Sequence, residues 1–88
     1  MFFYVYVLQC KDGERYVGYA SNLRKRLEEH KRGKSYWTKT RGPLRLIYFE
    51  GCLNEDDARQ RERYLKSTIG RRFLTNRLKR YYRQTFAF

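Results

Sequence analysis

The stretch Phe-Phe-Tyr-Val-Tyr-Val-Leu-Gln-Cys-Lys-Asp-Gly-Glu-Arg-Tyr-Val-Gly-Tyr, residues 2–19, decides the fold of this 88-residue chain. Residues 2–9 are mostly β-branched or aromatic, which predicts a strand. The pair Asp12-Gly13 signals a hairpin turn, and residues 15–19 form the expected return strand. Because side chains alternate between the two faces of a strand, one face carries Phe3, Val5 and Val7, and the other carries Phe2, Tyr4, Tyr6 and Leu8.

The hairpin is followed by a predicted helix and a third strand. Ser21 or Asn22 caps the helix, which ends near residue 32. Its inner side is predicted from the helical spacing to carry Leu23, Leu27 and His30. A basic, aromatic loop covers residues 34–42, and the third strand covers residues 44–50.

Two further helices are predicted after the third strand. Asn54 caps the first of them, whose apolar stripe is expected to consist of Ala58, Leu65 and Ile69. Gly70 is expected to separate it from a last helix over residues 71–82. The order ββαβαα describes one α+β domain over residues 1–88, with a small three-stranded antiparallel sheet flanked by helices.

The charge of the chain favours a polyanionic partner. The net charge is +12, from 21 Lys and Arg against 9 Asp and Glu, and the cations are fourteen Arg and seven Lys. Arg suits bidentate phosphate contacts, and phosphate contacts give sequence-independent affinity. We therefore expect a nucleic acid partner, with a ribosomal protein, a membrane-surface protein or a plain basic domain as alternatives.

Cysteine usage and the N-terminal residues predict a cytoplasmic protein. Cys10 and Cys52 each follow or end a strand, could be neighbours, and are expected to be reduced. The apolar start is far too short to span a membrane and lacks a basic n-region. Neither a membrane nor an obligate protein partner is expected.

Glu62 is the acid that local structure explains least. At about 100° per residue it projects within roughly 40° of the centre of the apolar stripe of its helix, where a carboxylate is costly unless something compensates it. A single-metal phosphodiesterase needs such an acid, because magnesium takes one or two carboxylates and completes its shell with water and phosphate. The alternative is a Glu62–Lys66 pair at i,i+4.

Four other side chains could take part in phosphate chemistry. Arg26 lies at the edge of the inner stripe of the first helix, where it can stabilise a developing charge or simply be solvated. Tyr6 and Tyr16 can cluster, together with Tyr4, if the first two strands pair, although core tyrosines are the simpler interpretation. His30, the only histidine, can assist proton transfer, bind phosphate, or be structural.

The loop after the first helix combines positive charge with aromatic faces. Such a combination binds single-stranded nucleic acid by stacking aromatic rings on bases and neutralising phosphates. The alternative is a solvent-exposed loop that one Trp anchors. Its candidate nucleic-acid-binding residues are Lys34, Tyr36, Trp37, Lys39 and Arg41.

These segments together resemble the GIY-YIG nuclease superfamily. Tyr16-Val17-Gly18 is a counterpart of Tyr-Ile-Gly, and in Tyr4-Val5-Tyr6 the leading Gly of the first motif is replaced by Tyr. Residues 21–30 resemble the helix with the catalytic Arg, and residues 61–66 the helix with the metal-binding Glu. Gly70-Arg71-Arg72-Phe73-Leu74 is similar to a segment of the small standalone bacterial members.

The resemblance implies magnesium-dependent phosphodiester hydrolysis through a single metal, with Mn²⁺ able to substitute. It implies that Glu62 binds the metal, that Arg26 contacts the scissile phosphate, and that Tyr16 is the base or orients water, with Tyr6 beside it. Asn76 matches an Asn found late in some members.

The expected function is therefore an endonuclease acting on DNA, more on single-stranded or branched DNA than on intact duplex, in repair or recombination. No separate groove-reading module is evident, and a non-catalytic nucleic-acid-binding module that retains the fold is the alternative.

Overall fold

Seven secondary-structure elements make up the fold in the computed structural model, which describes residues 1–34, 39 and 42–85. In chain order they are β1 (Phe3–Gln9), β2 (Arg15–Ala20), α1 (Leu23–Lys31), β3 (Arg45–Cys52), α2 (Glu55–Lys66), α3 (Thr68–Arg77) and α4 (Lys79–Thr85). The predicted α+β architecture with a three-stranded antiparallel sheet is confirmed. The third strand extends two residues beyond its predicted end.

The sheet has the order β2-β1-β3, and both pairs are antiparallel. Tyr6, in the middle of β1, lies opposite Gly18 on one side and Phe49 on the other. The register between β1 and β3 shifts at Val7/Leu8. Because β1 is central, β2 is an edge strand, which leaves its outer side open.

Two apolar layers cover the two faces of the sheet, as the alternation in β1 predicts. The larger layer packs α2, α3 and α4 onto one face, called here the α2 face, and its buried members are Val5, Val7, Val17, Ala58, Leu65, Leu74 and Leu78. The smaller layer packs α1 onto the other face, the α1 face, where Leu23 and Leu27 cover Tyr6, Leu8 and Ala20. Asn22 and Asn54 cap α1 and α2 as expected.

The predicted boundary at Gly70 is wrong, because the helix breaks at Ser67 instead. Ser67 has extended backbone angles, and its Oγ accepts a hydrogen bond from the Gly70 amide as the N-cap of α3. Gly70 is buried inside α3, where a Cβ would collide with the backbone of Tyr64 and Leu65. Glycine is therefore needed for the close approach of α3 to the end of α2. The predicted last helix is also divided again, at Leu78.

Two other predictions about side-chain positions are wrong. Ile69 does not join the apolar stripe of α2, because α2 ends at Lys66 and the Ile69 side chain is 65% exposed. Tyr4 packs against Phe2 and Phe49 instead of Tyr16.

Cys10 is buried and Cys52 is partly buried, and the two are not neighbours. Cys52 pairs with Phe3 at the start of β1, whereas Cys10 follows the end of that strand. In the part of the chain that the structure describes, no helix is long and apolar enough to cross a lipid bilayer.

Candidate active site

Tyr6 owes its position to the glycine opposite it on β2. The ring of Tyr6 lies directly over Gly18, so that a Cβ on Gly18 would overlap the ring and hydroxyl of Tyr6 and lie 2.9 Å from Tyr16. Gly18 ends the Tyr-Val-Gly motif, and its missing side chain lets both tyrosines occupy the α1 face. The motif thus has a packing role that the sequence did not reveal.

Tyr6, Tyr16 and His30 form one contact cluster under α1. The Tyr6 hydroxyl lies 2.7 Å from Nε2 of His30, and the rings of Tyr16 and His30 meet edge to face with centroids 5.1 Å apart. The rings of Tyr6 and Tyr16 are 6.2 Å apart. Three residues from two strands and one helix are therefore in contact, as the clustering prediction for Tyr6 and Tyr16 requires.

The protonation of this cluster follows from its burial. Burial, with the charge of Tyr16 adding to it, raises the pKa of Tyr6, although Arg26 acts in the opposite direction. Burial and the nearby Arg26 charge lower the pKa of His30, against the effect of Glu29. Tyr6 therefore stays protonated and His30 neutral near pH 7, and the two share a buried hydrogen bond.

Arg26 lies next to this cluster and is held by an acid on its own helix. Its guanidinium is 3.0 Å from Oε1 of Glu29, three residues further along α1. Burial lowers the pKa of Arg26, but hydrogen bonding to Glu29 and the interactions with Tyr6 and Tyr16 raise it by more. Arg26 and Glu29 also line an open groove of about 260 Å³ next to Tyr19, so the cation can meet a ligand from solvent. Glu29 was not among the predicted site residues, although its i,i+3 spacing from Arg26 signals the pair.

Glu62 lies on the opposite face of the sheet, at the border of the buried stripe of α2. Ala58 and Leu65 are buried, and Arg61 on one side of them binds Glu50 of β3 through two nitrogens. The Glu62 side chain is 19% exposed, and Nζ of Lys66 lies 2.9 Å from its Oε2. The inward position of the carboxylate and the alternative i,i+4 pair are thus both present.

Glu62 faces the edge strand β2, which the α1-face cluster also borders. Arg59, three residues before Glu62, stacks on the ring of Tyr19 near the end of β2, at 4.1 Å. Lys66, four residues after Glu62, lines a groove with Tyr16 near the start of β2. Since residues three and four apart share a helix face, Glu62 lies over the middle of β2. Glu62 and the Tyr-His-Arg cluster therefore approach one strand edge from its two sides.

The donors at Glu62 fit magnesium better than a metal enclosed by protein ligands. Within residues 1–34, 39 and 42–85, no group of three or more His, Cys, Asp or Glu is arranged to hold a metal ion. Magnesium binds through one or two carboxylates and keeps water and phosphate oxygens as its other ligands. An exposed i,i+4 pair contributes only about 0.3–0.5 kcal/mol, so Lys66 can leave the carboxylate at low cost.

The predicted binding loop lies partly outside the described residues. Tyr36, Trp37 and Arg41 fall there, and their role stays a prediction. Lys34 is exposed, and its backbone amide donates a hydrogen bond to the carbonyl of Glu29. Arg26 lowers the pKa of the Glu29 carboxyl, and the charge of Lys34 adds a smaller effect in the same direction. Lys34 is thus close to the Arg26–Glu29 pair; Lys39 is exposed.

The fold, the Tyr-Val-Gly motif and the arrangement around β2 agree with a match to a known family. The model of the GIY-YIG catalytic domain matches residues 2–79. The chain therefore belongs to the GIY-YIG family, a family of nucleases.

Similar proteins carry the name UPF0213. One from Clostridium perfringens is 45% identical over 64 residues, which cover 72% of this chain and 69% of that protein. One from Streptococcus pneumoniae serotype 4 is 42% identical over 64 residues, which cover 72% of this chain and 65% of that protein. The chain thus spans about two thirds of the length of these relatives.

A solved structure supports the same relationship. The solution NMR structure of a UPF0213 protein from Bacillus halodurans is 34% identical in sequence and superimposes with a TM-score of 0.56. The match covers 86% of this chain and 84% of that one.

Proposed function

We propose that this protein is a magnesium-dependent endonuclease that hydrolyses phosphodiester bonds in DNA. The observation that carries the proposal is the contact cluster of Tyr6, Tyr16 and His30 beside Arg26, at the same strand edge that Glu62 faces. These are the five side chains that the sequence motifs singled out. Family membership supports a nuclease, and the residue roles, the metal and the DNA substrate are our proposal.

Arg26 is the proposed phosphate ligand. Its charge is permanent, because the interactions with Glu29 and the tyrosines raise its pKa further. Glu29 fixes the guanidinium at the wall of an open groove, so little reorganisation is needed when a phosphate arrives. A preorganised cation of this kind stabilises the negative charge that develops on the phosphate oxygens in the transition state.

Tyr16 is the proposed base or water-orienting group. Tyr6 is less suited to removing a proton, because its pKa is raised and its hydroxyl already shares a buried hydrogen bond with His30. Tyr16 is only partly buried and lines the groove that contains Lys66. The rings of His30 and Tyr6 contact the ring of Tyr16. We therefore assign positioning roles to Tyr6 and His30.

Glu62 is the proposed metal ligand. A bound magnesium ion would act as a Lewis acid on the phosphate and stabilise the leaving oxygen. The position of Glu62, close to β2 yet reachable from solvent, leaves room for the water and phosphate ligands that magnesium retains.

The substrate proposal rests on the net charge of the chain. A net charge of +12 suits a polyanion, and the proposed substrate is single-stranded or branched DNA, with repair or recombination as the setting. A second candidate function is a binding module without catalysis. It is favoured by one observation, the ion pair in which Lys66 already occupies the Glu62 carboxylate.

A nicking assay separates the two functions. Labelled single-stranded, duplex and branched oligonucleotides of matched sequence are incubated with the protein in magnesium, in manganese and in EDTA. The proposal predicts cleavage in both metals but not in EDTA, fastest on single-stranded or branched DNA. Tight binding to all substrates with no cleavage in either metal would instead establish the binding module.

A further inference from the structure

The C-terminal part of the chain carries positive charge that the proposed active site does not use. From Arg63 to the end of the sequence there are eight Lys and Arg and no Asp or Glu. Arg71 and Arg72 in α3 and Lys79 at the start of α4 are all exposed. In the described part of the chain, the ion pairs join other cations to acids, and none of these three takes part. Their charge therefore remains available for a ligand.

Two neighbouring grooves connect these cations to Tyr16 of the proposed active site. The first, of about 320 Å³, is lined by Tyr16, Lys66 and Arg71, with Glu14 as an acid at its wall. The second, of about 470 Å³, is lined by Arg71, Arg72 and Lys79, together with the neutral polar residues Thr68, Thr75 and Asn76. Arg71 belongs to both grooves and joins them into one surface, called here the α3 track.

A side chain of β2 fixes α3 in this position. Arg15, the neighbour of Tyr16, donates to the backbone carbonyl of Arg71 at 3.2 Å and to Oγ1 of Thr75 at 3.0 Å. Arg15 also approaches the hydroxyl of Tyr82. Because the contact with Arg71 uses its carbonyl, the guanidinium of Arg71 stays free to project from a helix that is anchored beside Tyr16.

We infer that the α3 track binds the sugar-phosphate backbone of the substrate strand and leads it to Tyr16. The inference rests on the proposed function for its substrate class. A helix of 10 residues, the length of α3, is about 15 Å long, and the track continues beyond it to Lys79. Exposed Arg and Lys with Thr and Asn hydroxyl and amide groups are the side chains that contact phosphates without reading sequence.

The test compares salt dependence of binding between variants of the track and a matched control. Arg71→Gln and Lys79→Gln each remove one charge from the track, whereas Arg24→Gln removes one exposed charge from a helix on the opposite face of the sheet. Fluorescence anisotropy measures the Kd for an oligonucleotide in EDTA at several salt concentrations, so that no cleavage occurs. Each track variant should lower the slope of log K against log salt by about 0.7–0.9, and Arg24→Gln should leave it unchanged.

Three outcomes decide the matter. Equal slopes for the wild type, Arg71→Gln and Lys79→Gln would overturn the α3 track. Arg71→Lys, which keeps the charge and the backbone carbonyl, should restore the wild-type slope; if it binds as weakly as Arg71→Gln, the effect is structural and the inference is wrong. The binding test is independent of catalysis. If the protein shows the changes in slope but never cleaves DNA, the α3 track stands and the proposed nuclease function is wrong.

Discussion

Replacing Tyr6 with Phe tests the buried hydrogen bond at the centre of the proposed site. Tyr6 is fully buried and His30 is 3% exposed, so the ring nitrogen of His30 that loses the hydroxyl at 2.7 Å cannot turn to bulk water. Leaving a buried polar group without its partner costs about 1–3 kcal/mol. For a domain of this size each kcal/mol lowers the melting temperature by about 4–8 °C.

The matched control is Tyr4→Phe, which removes a hydroxyl from the same strand and the same face. Tyr4 is only partly buried, and its ring contacts with Phe2 and Phe49 do not need the hydroxyl. Thermal unfolding followed by circular dichroism should show a drop of at least about 4 °C for Tyr6→Phe and little change for Tyr4→Phe. Equal melting temperatures for the two variants would refute the view that the Tyr6–His30 bond stabilises the site.

Three further predictions concern the same cluster. Gly18→Ala should displace the Tyr6 ring and lower the free energy of unfolding by about 1–3 kcal/mol, the usual cost of overpacking, measured by urea denaturation. Arg26→Ala should slow cleavage about 100-fold or more, the scale for one preorganised charge-stabilising donor, whereas Arg24→Ala on the same helix should cleave normally; a rate for Arg26→Ala within threefold of wild type would exclude the phosphate role. Because burial lowers the pKa of His30, the unfolded chain binds more protons than the folded one below about pH 6.5, the ordinary His value. Stability should therefore be flat above that pH and fall as the pH drops towards 5, and His30→Asn should reduce the fall.

The parts of the fold that depend on local patterns were predictable from the sequence. Alternation in β1 assigned its two faces correctly, and the Asn22 and Asn54 caps marked the starts of α1 and α2. The helical spacing that turned Glu62 inward also held, because α2 is regular from residue 55 to residue 66. In each case the deciding physics lies within one element.

Features that depend on contacts between elements were not predictable in the same way. Gly70 looked like a helix breaker, but its missing Cβ serves the packing of α3 against α2. Because each follows or ends a strand, Cys10 and Cys52 could be neighbours by sequence, yet the carboxyl-terminal ends of two antiparallel strands lie at opposite ends of the sheet. Tyr4 and Tyr6 share a face, but only Tyr6 lies over Gly18, so only Tyr6 reaches Tyr16.

The position of the positive charge on α3 was also not predictable from the sequence. Its positive residues could be counted in the sequence, but only the tie from Arg15 to the Arg71 carbonyl shows that they begin beside Tyr16. A count of charges predicts a partner class, whereas the position of the charges needs the packing of the helix.

The central claim is that Glu62 makes this domain a metal-dependent nuclease, and one pair of variants tests it most directly. Glu62→Gln and Glu55→Gln remove the same charge from the same helix, and each acid has an i,i+4 partner, Lys66 and Arg59. Cleavage of labelled single-stranded DNA in magnesium should be abolished in Glu62→Gln and nearly normal in Glu55→Gln, while both variants bind the oligonucleotide in EDTA at least as well as the wild type. Cleavage by Glu62→Gln at the wild-type rate would contradict the claim.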